Sequence, residues 1–353
     1  MTSMLPSYPK AVIFGCRGTK LLPFEAELFQ RHQPLGFILF QRNCKNKSQL
    51  KQLISDLQST VNHTFVPILI DQEGGRVVRL FPPEWKKAWP ASFFGRIAEK
   101  NLELGLQSAF WQAKLIGQEL AELEINVNCA PCADLLFPDA DPIIGDRAFS
   151  KDINLVHHLT MHVIKGLKNR GIISVIKHLP GHGRAPMDSH KDLPLLSTPL
   201  KELNESDLLV FQKICKDLSQ EHIHPWGMTA HVVYQSIDSL LPATHSPQVI
   251  HQIIRETIGF KGFLISDCLT MKALKSSYKS RVEKALQAGC DAVLYCKSNL
   301  EDMIKIVSAT PPLSKDAWER LQQSQLSQPP LLTTNEAEKI EHDLTNVIVK
   351  HFD

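Results

Sequence analysis

The chain has 353 residues, of which 43% are hydrophobic and 22% charged, the profile of an ordinary globular protein rather than a disordered or fibrous one. Its 39 Lys and Arg nearly balance 37 Asp and Glu, so a net charge of +2 gives no electrostatic case for nucleic acid or an acidic membrane as partner. No apolar run approaches the roughly 18 residues that a spanning helix needs, and Met1 to Gly15 reads as neither signal peptide nor anchor.

The expected compartment is therefore the cytoplasm. The eight cysteines, Cys16, Cys44, Cys129, Cys132, Cys215, Cys268, Cys290 and Cys296, are expected as reduced thiols, several within apolar runs. Cys129-Ala-Pro-Cys132 has no second pair to complete a zinc ribbon. It also lies in a strand-like run rather than opening a helix, as a redox motif would, so it is read as structural.

Eight short apolar runs follow one another: Val12–Cys16, Gly36–Phe40, Phe65–Asp71, Val127–Leu135, Ser174–Leu179, Gly227–Tyr234, Gly262–Asp267 and Ala292–Cys296. They are continuous rather than alternating, as expected of parallel strands buried on both faces. Helical spacing places helices at Phe24–His32, Ser48–Thr60, Leu102–Glu124, Asp152–Arg170, Glu205–Gln220, Pro247–Ile258 and Ser280–Ala288. This alternation predicts a single-domain (β/α)8 barrel of the TIM type with extra C-terminal helices. One catalytic domain would span residues 1–353, with a core over about 10–300 and a helical extension over 301–353, packed outside the barrel from Pro311 onward. Phe81–Pro90 and Pro311–Pro312 read as surface loops.

Chemistry-bearing residues recur at the ends of the runs: Asp71, Asp134, Lys177-His178, His231 and Asp267. The C-terminal strand ends of such a barrel carry the active site, because the βα loops build the pocket there. Asp71-Gln-Glu-Gly-Gly-Arg-Val-Val-Arg79 combines two adjacent glycines with a carboxylate and arginines able to grip sugar hydroxyls, or simply to form a salt-bridged turn. Lys177-His-Leu-Pro-Gly-His-Gly183 runs on to Asp188-Ser-His190, an acid beside an imidazole that titrates near ~6.5 and can give and take a proton near neutrality. A metal site from His178, His182 and His190 is the competing reading, disfavoured by a loop so rich in Gly and Pro. Asp267, ending an apolar strand, is costly to bury unless it is used, and can attack an anomeric carbon.

Together these segments resemble bacterial β-N-acetylhexosaminidases of glycoside hydrolase family 3, the compact cytoplasmic type acting in peptidoglycan recycling. The likeness runs from about Gly36 to Cys296 and includes Ile143-Ile-Gly-Asp-Arg147-Ala-Phe-Ser150, Met228-Thr-Ala-His231 and Ile265-Ser-Asp267-Cys-Leu-Thr-Met271. The resemblance implies a retaining exo-β-N-acetylglucosaminidase, with Asp267 as nucleophile, His190 as acid/base and Asp188 orienting it. Asp71, Arg79, Arg147, Lys177 and His178 would bind the sugar. The expected substrate is GlcNAc-1,6-anhydro-MurNAc with or without peptide, linking the protein to cell-wall turnover, cell shape and division. No cofactor or metal is implied. The expected partner is this small sugar, with neither nucleic acid nor membrane, and a monomer is favoured.

Two positions depart from the family pattern: Cys268 stands where a second Asp is usual, and Leu179 where Phe is usual. The first leaves one strand-end Asp to attack and puts a thiol beside it. A histidine acid/base, which repels phosphate less than a carboxylate does, leaves a phosphorylase open as an alternative. So does a non-catalytic sugar-binding barrel, since fold does not fix function.

Overall fold

The computed structural model describes residues 8–352. The strands are β1 (Lys10–Gly15), β2 (Pro34–Leu39), β3 (Ile68–Ile70), β4 (Val127–Asn128), β5 (Ile173–Leu179), β6 (Leu195–Leu196), β7 (Trp226–Thr229), β8 (Val233–Tyr234), β9 (Leu264–Cys268) and β10 (Ala292–Tyr295). Eight of them close a parallel barrel in the order β1-β10-β9-β7-β5-β4-β3-β2, the (β/α)8 architecture expected from the alternation of runs and helices.

The reason the runs are continuously apolar is visible in β1. Ala11 and Ile13 point into the barrel, where they pack with Ile38, Val175, Trp226 and Ile265. Val12 and Phe14 point outward against Phe29, Leu50 and the surrounding helices. Alternate side chains of a strand face opposite ways, so a strand covered on both sides needs apolar residues at every position. The helices begin where expected to within a few residues, several on a side-chain cap: Asn46 accepts from the Gln49 N–H, Asn101 from Leu104 and Asp152 from Leu155.

Two strands are shorter than the apolar runs suggest. The run Val127–Leu135 contributes only Val127–Asn128 to the ladder. Pro131 has no N–H to donate, and pairing resumes beyond it as the isolated bridge between Cys132 and Lys177. The run Gly227–Tyr234 splits: the chain leaves the barrel after Thr229, and Val233–Tyr234 pairs instead with Leu195–Leu196 in a separate two-stranded sheet. A helix at Ala91–Lys100, which the sequence pattern did not single out, follows the Phe81–Pro90 loop.

Leu300–Ala309 follows β10 as a barrel helix. The next helix, Lys315–Ser324, is not merely laid on the outside. Ala317 and Leu321 join the interior core at the N-terminal end of the barrel, and Ser324 Oγ accepts from Trp226 Nε1 at 2.8 Å. That end is thus sealed by apolar contact, leaving the opposite mouth open. The last helix, Thr334–Phe352, packs with Leu344 and Val347 buried in the outer core. Among the described residues no helix is long and apolar enough to cross a membrane. Residues 1–7 of the N-terminal stretch read for targeting lie outside the described residues.

Candidate active site

The open mouth is a cavity of about 300 Å³ lined by Asp71, Arg79, Arg147, Lys177, His178, His190 and Asp267, with Glu73, Cys268 and Cys296. Seven of the eight residues expected to catalyse or to bind the sugar therefore share one cleft. The eighth, Asp188, reaches it through His190, whose Nδ1 donates to Asp188 Oδ1 at 2.8 Å. The geometry arises from chain direction: each parallel strand brings its C-terminal end, and the loop that follows it, to the same rim.

A charged cluster forms one wall. Lys177 Nζ lies 3.0 Å from Asp71 Oδ1 and 2.6 Å from Glu73 Oε1. Arg79 donates to Asp71 Oδ2 at 3.0 Å. Arg147 grips Glu73 with two parallel bonds, Nε to Oε2 at 3.0 Å and Nη2 to Oε1 at 2.9 Å. Burial pushes the Asp71 carboxyl up, but the cations of Lys177 and Arg79 outweigh it and hold the group below its ordinary value. Glu73 is held well below its usual range against burial by Arg147 and Lys177. The turn is salt-bridged, and a carboxylate oxygen with one protein donor still keeps a lone pair that a ligand could use. Glu73 was not among the expected site residues. Its sequence signal was the acid two places after Asp71, masked by the more conspicuous glycines.

Those glycines set the turn. Gly74 has φ +108, and a Cβ there would meet the Trp89 carbonyl oxygen at 2.1 Å. The chain doubles back over Trp89 and brings Arg76 and Arg79 to the cleft.

His178 is held by Asp134, whose Oδ2 accepts from His178 Nδ1 at 2.6 Å and from the backbone N–H at 3.2 Å. Oδ1 of the same carboxylate accepts from the His182 N–H at 2.6 Å. Burial raises the Asp134 carboxyl, yet His178 and these hydrogen bonds bring it down to about 2. Asp134 is fully buried and outside the cleft lining, so it orients the strand-end imidazole rather than meeting a ligand. The three histidines weighed as a metal site do not form one. Among the described residues, the group whose ligand atoms lie within 4.8 Å of one another is Cys132, Asp134 and His178. The Cys129 and Cys132 thiols are both buried and free.

Asp267 lies in β9 near its C-terminal end, one residue before Cys268. The Cys268 N–H donates to its Oδ1 at 2.6 Å. Burial pushes its carboxyl up, but the imidazoles of His231, His178 and His190 and the Cys268 N–H more than offset this, so Asp267 is ionised near neutrality. His231 steadies the same backbone: its Nε2–H donates to the Cys268 carbonyl at 3.1 Å. The His231 ring titrates below its ordinary value, because burial outweighs the pull of Asp267.

His190 sits across the cleft on the loop after β5, with its side chain 61% exposed. The loop is tied down on both sides. Arg184 donates to the buried Asp207 at 2.6 Å, and beyond His190 the Asp192 carboxylate pairs with Lys275 at 3.0 Å. Burial raises the Asp188 carboxyl, but hydrogen bonds from the His190 backbone and ring bring it below its ordinary value.

An ionised carboxylate in the cleft and a carboxylate-bound imidazole at its rim can together supply a nucleophile and a proton relay, the two functions that retaining glycoside hydrolysis needs. The glycosyl hydrolase family 3 N-terminal domain matches residues 20–323, and the chain belongs to that family. It is 35% identical over 299 residues to a β-hexosaminidase of Photobacterium profundum, covering 84% of each chain. Its fold is similar to that of NagZ from Neisseria gonorrhoeae in complex with N-trifluoroacetyl-D-glucosamine, with TM-score 0.85 and 28% identity over 98% of this chain and 99% of that one. A family 3 β-N-acetylglucosaminidase from Paenibacillus sp. str. FPU-7 superposes with TM-score 0.82 at 26% identity, covering 96% of this chain and 67% of that one.

Proposed function

We propose that this chain is a retaining exo-β-N-acetylhexosaminidase that removes terminal β-linked GlcNAc from peptidoglycan fragments, GlcNAc-1,6-anhydro-MurNAc with or without peptide, in the cytoplasm. The observation that carries the reading is the pairing of an ionised Asp267 in the cleft with an exposed His190 held by Asp188 at its rim. The β-hexosaminidase relatives and the N-trifluoroacetyl-D-glucosamine bound to the similar NagZ support an amino-sugar substrate.

In this reading Asp267 attacks the anomeric carbon and forms a glycosyl ester. With Nδ1–H engaged by Asp188, protonated His190 donates from Nε2 to the departing oxygen. The neutral ring then takes a proton from water as that water opens the ester. Asp71 and Arg79, with Lys177, Arg147 and His178, hold the sugar hydroxyls and acetamido group through the first step and the second.

Hydrolysis of a nitrophenyl β-GlcNAc glycoside tests the activity, and mass spectrometry after a fluorinated GlcNAc analogue tests the ester on Asp267. No turnover, or no sugar on Asp267, would sink the reading. GlcNAc-1-phosphate formed in phosphate buffer would redirect it to phosphorolysis. Feeding anhydro-muropeptides tests the leaving group.

A further inference from the structure

Two thiols share the cleft with Asp267. Strands β9 and β10 are parallel neighbours, with Leu294 opposite Cys268. Cys268 ends β9 and Cys296 follows the end of β10, so both side chains emerge at the open rim and line the cavity. The Cys296 N–H donates to Cys268 Sγ at 3.3 Å, and Thr270 Oγ1 lies 3.1 Å from the same sulfur. All eight cysteines are free.

We propose that Cys268 and Cys296 form an oxidisable dithiol in the cleft, which a hydroperoxide small enough to enter converts to a disulfide that stops turnover.

The two sulfurs suit different halves of the chemistry. Burial pushes the Cys268 thiol up, yet hydrogen bonds from Cys296 and Thr270 outweigh it and hold the group at about 7. A thiol titrating near neutrality is the effective nucleophile, because thiolate fraction and nucleophilicity are then both appreciable. Burial pushes Cys296 well above its ordinary value, with Cys268 and Asp71 adding to the rise, so it stays protonated until it is used. Elsewhere Cys16, Cys44, Cys215 and Cys290 are pushed up by burial to about 12. Cys129 and Cys132 stand well above their ordinary value for the same reason.

The Cys268 thiolate attacks one peroxide oxygen, an S–O bond forms, the O–O bond breaks, and the departing oxygen takes a proton. Cys296 sulfur then attacks Cys268 sulfur, S–S forms, S–O breaks, and hydroxide leaves with the Cys296 proton as water. Two thiols and one hydroperoxide give a disulfide, an alcohol or water, and water. The bond would act on the chemistry through residue 268. Its N–H donates to Asp267 Oδ1 at 2.6 Å and its carbonyl accepts from His231, so re-seating Cys268 shifts the carboxylate. Formation of the disulfide stands without the proposed function, whereas its effect on turnover rests on that reading.

Reduced full-length protein is titrated with hydrogen peroxide, free thiols are blocked, and the digest is read by mass spectrometry. The expected result is a cross-linked peptide joining Cys268 to Cys296 before Cys129, Cys132, Cys215 or Cys290 is consumed. Nitrophenyl β-GlcNAc hydrolysis falls at least tenfold in step, and dithiothreitol restores both. Cys296→Ser gives no cross-link but leaves a sulfenic acid on Cys268 that dimedone captures. Saturating GlcNAc slows the reaction by covering the sulfurs. Free thiols at both positions after peroxide, or further oxidation of Cys268 without linkage, overturns the proposal, as does a full cross-link with turnover intact. If the reduced protein hydrolyses nothing, the glycosidase reading has failed, and the mass measurement still decides the dithiol.

Discussion

Asp188 Oδ1 accepts from His190 twice, from its backbone N–H and from ring Nδ1, each at 2.8 Å. Two bonds to one oxygen fix the ring's orientation and tautomer, which leaves Nε2 as the free proton-transfer atom. His190→Ala is expected to lower kcat on a nitrophenyl glycoside by about 10²–10⁴-fold, the usual range for a lost acid/base. An activated leaving group needs little protonation, so the loss should fall mainly on ester hydrolysis and the intermediate should accumulate as a burst. Asp188→Asn keeps the ring but loses the charge. A smaller loss with a displaced pH profile is expected, and an unchanged profile would remove Asp188 from the mechanism.

Asp267→Ala is expected to reduce turnover by roughly 10⁴-fold or more, since Cys268 rather than a second acid follows it and the other cleft acids, Asp71 and Glu73, are engaged by Arg79, Lys177 and Arg147. Circular dichroism would confirm that the variant is folded. Near-normal turnover by that folded variant ends the covalent scheme.

Lys177 is buried between Asp71 and Glu73. Burial alone would lower its pKa, but the two acids more than offset this and hold it above its ordinary value. Lys177→Met would leave two carboxylates facing one another with the charge between them gone. Breaking a buried ionic cluster from one side costs about 3–5 kcal/mol, readable as a lower urea midpoint. A midpoint equal to that of the parent chain would mean that water reaches the cluster.

Stability should fall as pH drops from about 6.5 to about 4, before most carboxylates titrate. Burial, with the neighbouring His178, lowers His182 to about 4, and burial lowers His245 to about 3. His182 Nδ1 and His245 Nε2 are buried with no hydrogen-bond partner, as suits neutral rings. Below the unfolded value the unfolded chain binds protons that the folded chain refuses, so acidification favours unfolding. For His182 alone the span corresponds to about 3 kcal/mol at pH 4. Thermal melts across this range check it, and His182→Asn should flatten the slope.

Much of the fold was legible because its physics is local or periodic. The run at Val12–Cys16 is apolar at every position because Ile13 and Phe14 face different cores. Where local pattern met a backbone constraint it misled. Pro131 interrupts the fourth run, and His231 and Val232 carry the chain out of the barrel although they read as strand. The helix Lys315–Ser324 shows helical spacing in sequence, but nothing local says that its apolar face closes one end of the barrel.

Sequence alone determined the alternation of strands and helices, and the strand-end placement of Asp71, Lys177 and Asp267, because side-chain period and chain direction are local properties. Tertiary structure alone decided that Glu73 joins Lys177 and Arg147, that Asp134 holds His178, and that Cys268 meets Cys296. These partners are 28 to 104 residues apart in the chain and adjacent only once the barrel closes, so no local spacing encodes the contact.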